Sequence, residues 1–513
     1  MLMLAGLALV VGSGGAAAAW LLLKLIALAT NLAWYDHASF APVSIVPAAH
    51  GVRTLLVPVA GSMVIGLMAR FGSEKICGHG IPEAIEAILF GQSRLSPKVA
   101  VLKPVSAAVS IGSGGPFGAE GPIIMTGGAI GSLLAQCFHL SAAERKTLLV
   151  AGAAAGMTAI FGTPVAAMLL AIEVLLFEWK PRSFVPVTVA ALAAIAWRPL
   201  MIGSGPMFPL VAPMMIDATT LVGAAALGVV VGVLASSLSS ALYRIEDGFH
   251  RLPVHWMWWP ALGALVVGIG GLIDPRVLGA GYDNIQALLD GSMVARAIVL
   301  LLVVKAIVWV VALGSGTSGG ILAPLLMLGA AVGALAGHWL PGGVGLYAMA
   351  GMAAMMSASM RAPLTAAVFA VELTGRLDAL PVAAAASVAG YAIAVLVLRR
   401  SIQTVRKHDY DAGDMGGLKT PSGISGFARR SPRHRHGNCA CQLGDQHPEN
   451  DFSYRWGSGR RGSSNEKLVS QQQTDHDGAA DVDPESGFIC RTELHCSPLG
   501  RRFDTARTKE QSA

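Results

Sequence analysis

Charged side chains are scarce in this 513-residue sequence: Asp, Glu, Lys and Arg make up 13% of it, against about 25% in a soluble globular chain. That shortage excludes an ordinary cytosolic enzyme. With 54% of residues hydrophobic, it excludes a disordered chain as well. Cysteine is also sparse. Of the six, Cys77 and Cys137 stand alone in the apolar part, while Cys439, Cys441, Cys490 and Cys496 lie near the end, which is no disulfide framework. The excess of basic over acidic side chains is six, too weak and scattered for a nucleic-acid footprint, so no nucleic-acid partner is expected. The first 32 residues lack a basic leader and an Ala-x-Ala exit into polar sequence, so they read as a spanning helix and not a cleaved signal.

What is there is apolar and rich in glycine. Glycine contributes 61 residues, where the usual ~7% would give about 36; such excess suits close-packed membrane helices. The charges divide unevenly, with 37 in residues 1–400 and 31 in the 113 residues that follow. Lipid and buried protein surround the first part and water the second. We therefore expect a transmembrane domain over 1–400 and a cytoplasmic, mostly disordered tail over 401–513, in which no sustained period of 2 or 3.6 is found.

Apolar runs able to cross about 30 Å of hydrocarbon occupy 1–32, 54–69, 218–242, 256–273, 294–313 and 380–398. Between them lie shorter pieces punctuated by Gly and Pro: 80–90, 98–111, 121–137, 147–160, 164–178, 283–290, 321–336, 343–358 and 363–373. Helices too short to span are tolerated at membrane depth only where they are buried in protein or line a cavity. The fold expected is an all-α polytopic membrane protein, and the function class a channel or transporter rather than an enzyme.

An internal duplication organises these pieces. Gly112-Ser-Gly-Gly-Pro-Phe-Gly-Ala-Glu-Gly-Pro122 matches Gly314-Ser-Gly-Thr-Ser-Gly-Gly-Ile-Leu-Ala-Pro324 at an offset of 202, which Lys103 and Lys305, and Gly131 and Gly333, share. Upstream, Gly78-His-Gly-Ile resembles Gly279-Ala-Gly-Tyr; downstream, the Pro164…Glu173 segment resembles Pro363…Glu372. Repeat halves of roughly 50–200 and 250–400 follow, and transporter halves of this kind are often inverted about a midplane axis.

Both Gly-Ser-Gly…Pro segments share one physical grammar. Glycines let the backbone turn sharply and approach a ligand. Pro then sits in a first helical turn, where its missing N–H costs nothing. The helix N-terminus beyond offers free N–H groups and a positive dipole end, an anion site in waiting. The turn at Gly78–Pro82 has the same character. Glu120 is the sharpest residue here, an ionisable group beside a helix start in an apolar chain, and such carboxylates are costly and usually functional. Its carboxylate can sit in the anion's own place, and protonation would free that place. Leu322 at the equivalent repeat position means that Glu120 is not there for symmetry.

Three segments carry a family resemblance. Residues 78–87, GHGIPEAIEA, resemble the GSGIPE segment of the CLC family of voltage-gated-type chloride channels and chloride/proton antiporters. Residues 118–132, GAEGPIIMTGGAIGS, are similar to its G[K/R]EGP segment, and 319–337, beginning GGILAP, to its GxFxP segment. The resemblance covers about residues 1–410. It implies a CLC-type inverted repeat of tilted, partly half-spanning helices, a homodimer with one anion pathway per subunit, and a multi-pass protein of the cell (plasma or inner) membrane. By the same resemblance Glu120 is the gating glutamate. The amides of Ala119, Glu120 and Gly121 line the outer anion position, those of Ile321 and Leu322 the central one, and Gly78, His79 and Gly80 the inner one. Lys103 matches a lysine whose charge favours anions, the alternative being a snorkelling loop-end cation. Chloride or a related anion is the substrate, protons a candidate second one, and no cofactor or metal is implied.

This sequence departs from the family pattern at several places. The serine aimed at the central anion is replaced by His79, which either donates to the anion or points away and leaves its backbone N–H. The central tyrosine falls near Gln403, so its hydroxyl is missing. The aromatic of GxFxP is Leu322, and the basic residue of G[K/R]EGP is Ala119. Antiporters of the family commonly use an inner glutamate as proton relay; Val174 falls there, with Glu173 one residue earlier and its repeat partner Glu372 suggesting a structural role for both. The expectation is a passive, voltage-gated-type chloride channel gated by Glu120, with chloride/proton antiport as the alternative. An intramembrane serine protease built on Ser315 and His338 is a remote third reading, since the two flank one apolar helix rather than meeting. In the tail, His434, His436, Cys439, Cys441 and Cys496 fit no standard zinc spacing.

Overall fold

The computed structural model describes residues 1–397 except 90, 177 and 212–215. The tail with Gln403 and its Cys and His residues lies outside the described residues. Among those described, the chain forms helices and no strand. In the first half these are α1 (Leu2–Tyr35), α2 (Gly51–Phe71), α3 (Ile81–Leu89), α4 (Pro97–Gly112), α5 (Glu120–Cys137), α6 (Ala142–Phe161), α7 (Pro164–Leu170) and α8 (Pro181–Met201). In the second they are α9 (Ala218–His250), α10 (Trp259–Ile273), α11 (Tyr282–Leu289), α12 (Ala295–Gly314), α13 (Leu322–Gly337), α14 (Val344–Met360), α15 (Pro363–Thr374) and α16 (Leu380–Val397).

Local chemistry sets many boundaries. Ser96 caps α4 and accepts the Lys98 N–H, with Pro97 in the first turn. Ser141 and Glu144 form a reciprocal capping box on α6, and Asp217 with Thr220 does the same on α9. Pro164 and Pro363 open α7 and α15, and Gly162 and Gly375 close α6 and α15 in left-handed conformation.

The two halves repeat one packing scheme. α5 packs on α6 as α13 packs on α14; α6 meets α1 and α8 as α14 meets α9 and α16; α1 lies on α8 as α9 lies on α16. Across the halves α2 packs on α10 and α7 on α15. Gly131 and Gly333, matched in the sequence, have matched roles. A Cβ on Gly131 would strike the Leu148 carbonyl and one on Gly333 the Tyr347 carbonyl, while Gly127 and Gly329, four residues earlier, abut Gly152 and Gly351 in the same way. These are two small-xxx-small helix contacts, one per half.

Length and burial place the helices. α1 has 34 residues and α9 has 33, about 50 Å at ~1.5 Å per residue, so both must tilt within ~30 Å of hydrocarbon. Their outer faces expose Leu9, Leu21, Val229 and Val230, side chains suited to lipid. The shorter α5, α6, α13 and α14 are buried along nearly their whole length, so these helices lie within protein, not against lipid. The chain is thus a multi-pass membrane protein, with seven helices long and apolar enough to cross a bilayer among the described residues. Over the described residues, every apolar run read from the sequence falls mainly on helix. α8 escapes that reading because Pro186, Arg198 and Pro199 interrupt its apolar run, yet it continues through both prolines.

Candidate functional site

The glycine turns of the two halves are stitched to one another. The Gly118 N–H donates to the Gly320 carbonyl at 3.0 Å and the Gly320 N–H to the Gly118 carbonyl at 2.9 Å, an antiparallel bridge between repeat-equivalent residues. Equivalent residues that exchange bonds with each other define a pseudo-two-fold axis between the halves. The Gly78–Pro82 turn joins through the Gly319 N–H, which donates to the Gly78 carbonyl at 3.4 Å, and α4 through a hydroxyl contact of 3.0 Å between Ser106 and Ser318. Gly279 N–H donates to the Gly114 carbonyl at 3.0 Å. Gly78 and Gly80 have φ of 89° and 95°, which only glycine adopts without strain. A Cβ on Gly121 would strike the His79 carbonyl, so the first and second turns touch at backbone level.

Glu120 sits at the focus. It begins α5, is 1% exposed, and its side chain lies against the bridge: a Cβ on Gly118 would overlap the carboxylate, and one on Gly320 would lie 2.7 Å from Oε2. The Tyr282 hydroxyl donates to Oε1 at 3.1 Å and accepts the Ala119 N–H at 3.5 Å. The backbone N–H groups of Glu120 itself and of Ala323, in the first turn of α13, face the carboxylate, while Oε2 reaches no hydrogen-bond partner. The Glu120 carboxyl therefore occupies the point where the N-termini of α5 and α13 meet, the position both dipoles favour for an anion.

The sequence candidates fall around this point. Ala119 caps α5, and its N–H is held by Tyr282. Gly121 follows Glu120 and lies against the His79 carbonyl of the first turn. Ile321 caps α13 and Leu322 starts it, both buried. At the first turn, the Gly80 N–H is taken by Glu83 Oε2 at 2.7 Å, and His79 has a buried Nδ1 without a partner. Lys103 is fully buried and does not snorkel. Its ammonium donates to the carbonyls of Ile76, Cys77 and Gly78 at 2.9, 3.3 and 2.9 Å and lies 3.8 Å from Glu83 Oε1. Lys305 repeats this on the carbonyls of Val277 and Gly279 at 2.8 and 2.9 Å. Both lysines hold a glycine turn in shape. Gln403 lies outside the described residues.

Other pairs separate cleanly. The Thr365 N–H and hydroxyl donate to Glu173 Oε2 at 3.0 and 2.6 Å, and the N–H groups of Val165 and Ala166 donate to Glu372 at 3.1 and 2.8 Å. Each glutamate caps the other half's helix, the structural role suggested by their symmetry. Val174 is buried in a one-turn π-helical stretch, Ala171–Leu176. Ser315 and His338 do not form a catalytic pair. Ser315 donates to the Ala312 carbonyl and contacts Thr317, His338 contacts the Ala334 carbonyl, and the two lie at opposite ends of α13. Among the described residues no three His, Cys, Asp or Glu side chains gather as a metal site.

Sequence reasoning missed Tyr282 and Glu83. Tyr282 was visible as a polar aromatic directly after Gly279-x-Gly281, where the first half has Ile81. Glu83 was visible as a carboxylate three residues beyond Gly80, able to bend back onto that N–H.

Comparisons with known proteins bear on the family and the fold. The sequence profile of the family described as "Voltage gated chloride channel" matches residues 60–395. The voltage-gated ClC-type chloride channel ClcB of Escherichia coli O81 is 30% identical over 372 residues, 69% of this chain and 88% of the relative. The H(+)/Cl(-) exchange transporter ClcA of Salmonella paratyphi B is 32% identical over 333 residues, 61% of this chain and 69% of the relative. Among solved structures, a slow cyanobacterial Cl-/H+ antiporter superposes with a TM-score of 0.68 at 22% identity, covering 79% of this chain and 96% of that one.

Proposed function

The chain belongs to the voltage-gated chloride channel family, and from that premise we propose that it exchanges chloride for protons across the membrane, with Glu120 as both gate and proton carrier. The observation that carries this reading is the Glu120 carboxylate lodged between the N-termini of α5 and α13, against the Gly118–Gly320 bridge. One position cannot hold a carboxylate and a chloride together, because like charges that close repel. Chloride enters when the carboxyl takes a proton and swings out; when it ionises and returns, the anion is displaced. Alternate occupancy of one place by the ionised carboxylate and by the anion, with a proton taken up each time the side chain leaves and released each time it returns, couples the two flows. The amides of Gly121, Ile321 and Leu322 supply the anion's donors near the bridge, while the Ala119 N–H acts through the Tyr282 hydroxyl that it holds. Gly78, His79 and Gly80 supply the inner entrance, with Lys103 contributing its field from behind that turn. The likeness to the relative named an exchange transporter supports the same reading. We extend it to a homodimer with one pathway per subunit.

A second reading is passive chloride conduction. Buried Val174 favours it, since it leaves no carboxylate where an inner relay is expected, as does the likeness to a relative named a channel. The reversal potential of purified protein in a planar bilayer under a pH gradient separates the two. Exchange displaces it from the chloride equilibrium value toward that of protons; conduction leaves it at the chloride value.

A further inference from the structure

The Glu120 carboxylate has one side-chain hydrogen-bond partner among the described residues, and it comes from the other half of the molecule. We propose that Tyr282 is the latch of the gate: its hydroxyl holds the ionised carboxylate in the anion position and passes to the anion once Glu120 leaves. This rests on Glu120 being the gate.

The geometry fixes which way the hydroxyl works. A phenol has one proton and two lone pairs. The Ala119 N–H points at the Tyr282 oxygen from 3.5 Å, and the proton goes to Glu120 Oε1 at 3.1 Å. An oxygen already facing an N–H donor is oriented to donate to whatever occupies the point beyond. That is the carboxylate when the gate is closed and chloride when it is open. The latch and the gate form a polar pair with one member in each half, for Ile81 stands where Tyr282 would recur and Leu322 where Glu120 would.

Tyr282 is built to stay in place. Gly281, with φ of 75°, turns the chain so that Tyr282 is the first residue of α11. Lys305 clamps the carbonyls of Val277 and Gly279 just before it, Gly279 is tied to Gly114, and the ring packs beside Phe208 with centroids 6.0 Å apart. Other charges near the gate are committed elsewhere. Lys103 and Glu83 are engaged on the first turn, and the part of His79 that meets Gly121 is its carbonyl. α13 carries no titratable residue, and the charges of α6 (Glu144, Arg145 and Lys146) lie at its start, beside the far end of α5.

Chloride flux from liposomes, measured against pH and chloride concentration for wild type, Tyr282→Phe, Glu120→Gln and the double variant, tests the latch. Phe keeps the ring and removes only the hydroxyl. Losing a charge-assisted bond makes the carboxylate easier to protonate, so Y282F moves the pH of half-maximal flux up by about one unit, a tenfold change in proton affinity. With the gate neutralised, adding Y282F to E120Q raises the chloride concentration for half-maximal flux about threefold or more. A wild-type pH midpoint in Y282F overturns the latch, and so does flux lowered equally at every pH. An unchanged chloride half-saturation in the double variant overturns the hand-over to the anion. Steep pH dependence surviving in E120Q alone would instead sink the gate reading on which the latch depends.

Discussion

Glu173 and Glu372 each close the helix of the opposite half: Glu173 takes the Thr365 N–H at 3.0 Å, and Glu372 takes the Ala166 N–H at 2.8 Å. The exchange accounts for a carboxylate near the same place in both repeats, and it ties α7 to α15 across the pseudo-two-fold axis. It also gives Glu173 a structural task, since its Oε2 accepts both a backbone amide and a hydroxyl of the other half.

Glu173→Ala and Glu372→Ala should therefore behave alike. Each leaves donors at a helix start without their acceptor, a cost of about 1–3 kcal/mol. Thermal unfolding in detergent should show both variants destabilised to a similar degree, with the ratio of protons to chloride unchanged. Loss of proton movement in E173A at wild-type stability would mean that the glutamate is a relay after all.

Gly131→Ala and Gly333→Ala probe the paired helix contacts. At both positions a Cβ meets a carbonyl of the neighbouring helix, whereas nothing lies within 4 Å of one at Gly6. Overpacking of this kind costs about 1–3 kcal/mol. Both variants should lose stability while Gly6→Ala does not, as read from unfolding midpoints; equal midpoints for all three would contradict the packing described.

Much of this arrangement was legible in the sequence, for identifiable reasons. Short apolar pieces bounded by Gly and Pro gave the half-length helices, because those residues act locally. The duplication exposed the turns that meet at Gly118 and Gly320, because glycine is required where two backbones touch. What stayed hidden depends on direction or on long-range partners. Apolar sequence does not tell which way Lys103 points, and its burial follows from three carbonyls 25 to 27 residues away. Tyr282 acquires meaning only from Glu120, 162 residues earlier. α8 was hidden because proline and arginine read as helix breaks, yet α8 runs through Pro186 and Pro199 unbroken.

Glu120→Gln keeps the shape of the side chain and removes its charge. Chloride flux should become nearly independent of pH, approaching at neutral pH the rate wild type reaches in acid, and proton movement should cease. Liposome efflux with a chloride electrode and a pH electrode in the same chamber reads both; coupled proton movement persisting in the variant would place the proton carrier elsewhere.

The central claim is that the N-termini of α5 and α13 converge on an anion position which the Glu120 carboxylate fills. Anomalous diffraction from E120Q crystals grown in bromide tests it most directly. The account predicts a bromide peak beside the Gly118–Gly320 bridge, within hydrogen-bond reach of the amides that begin the two helices and of the Tyr282 hydroxyl. Bromide bound elsewhere, with that place empty, would contradict it.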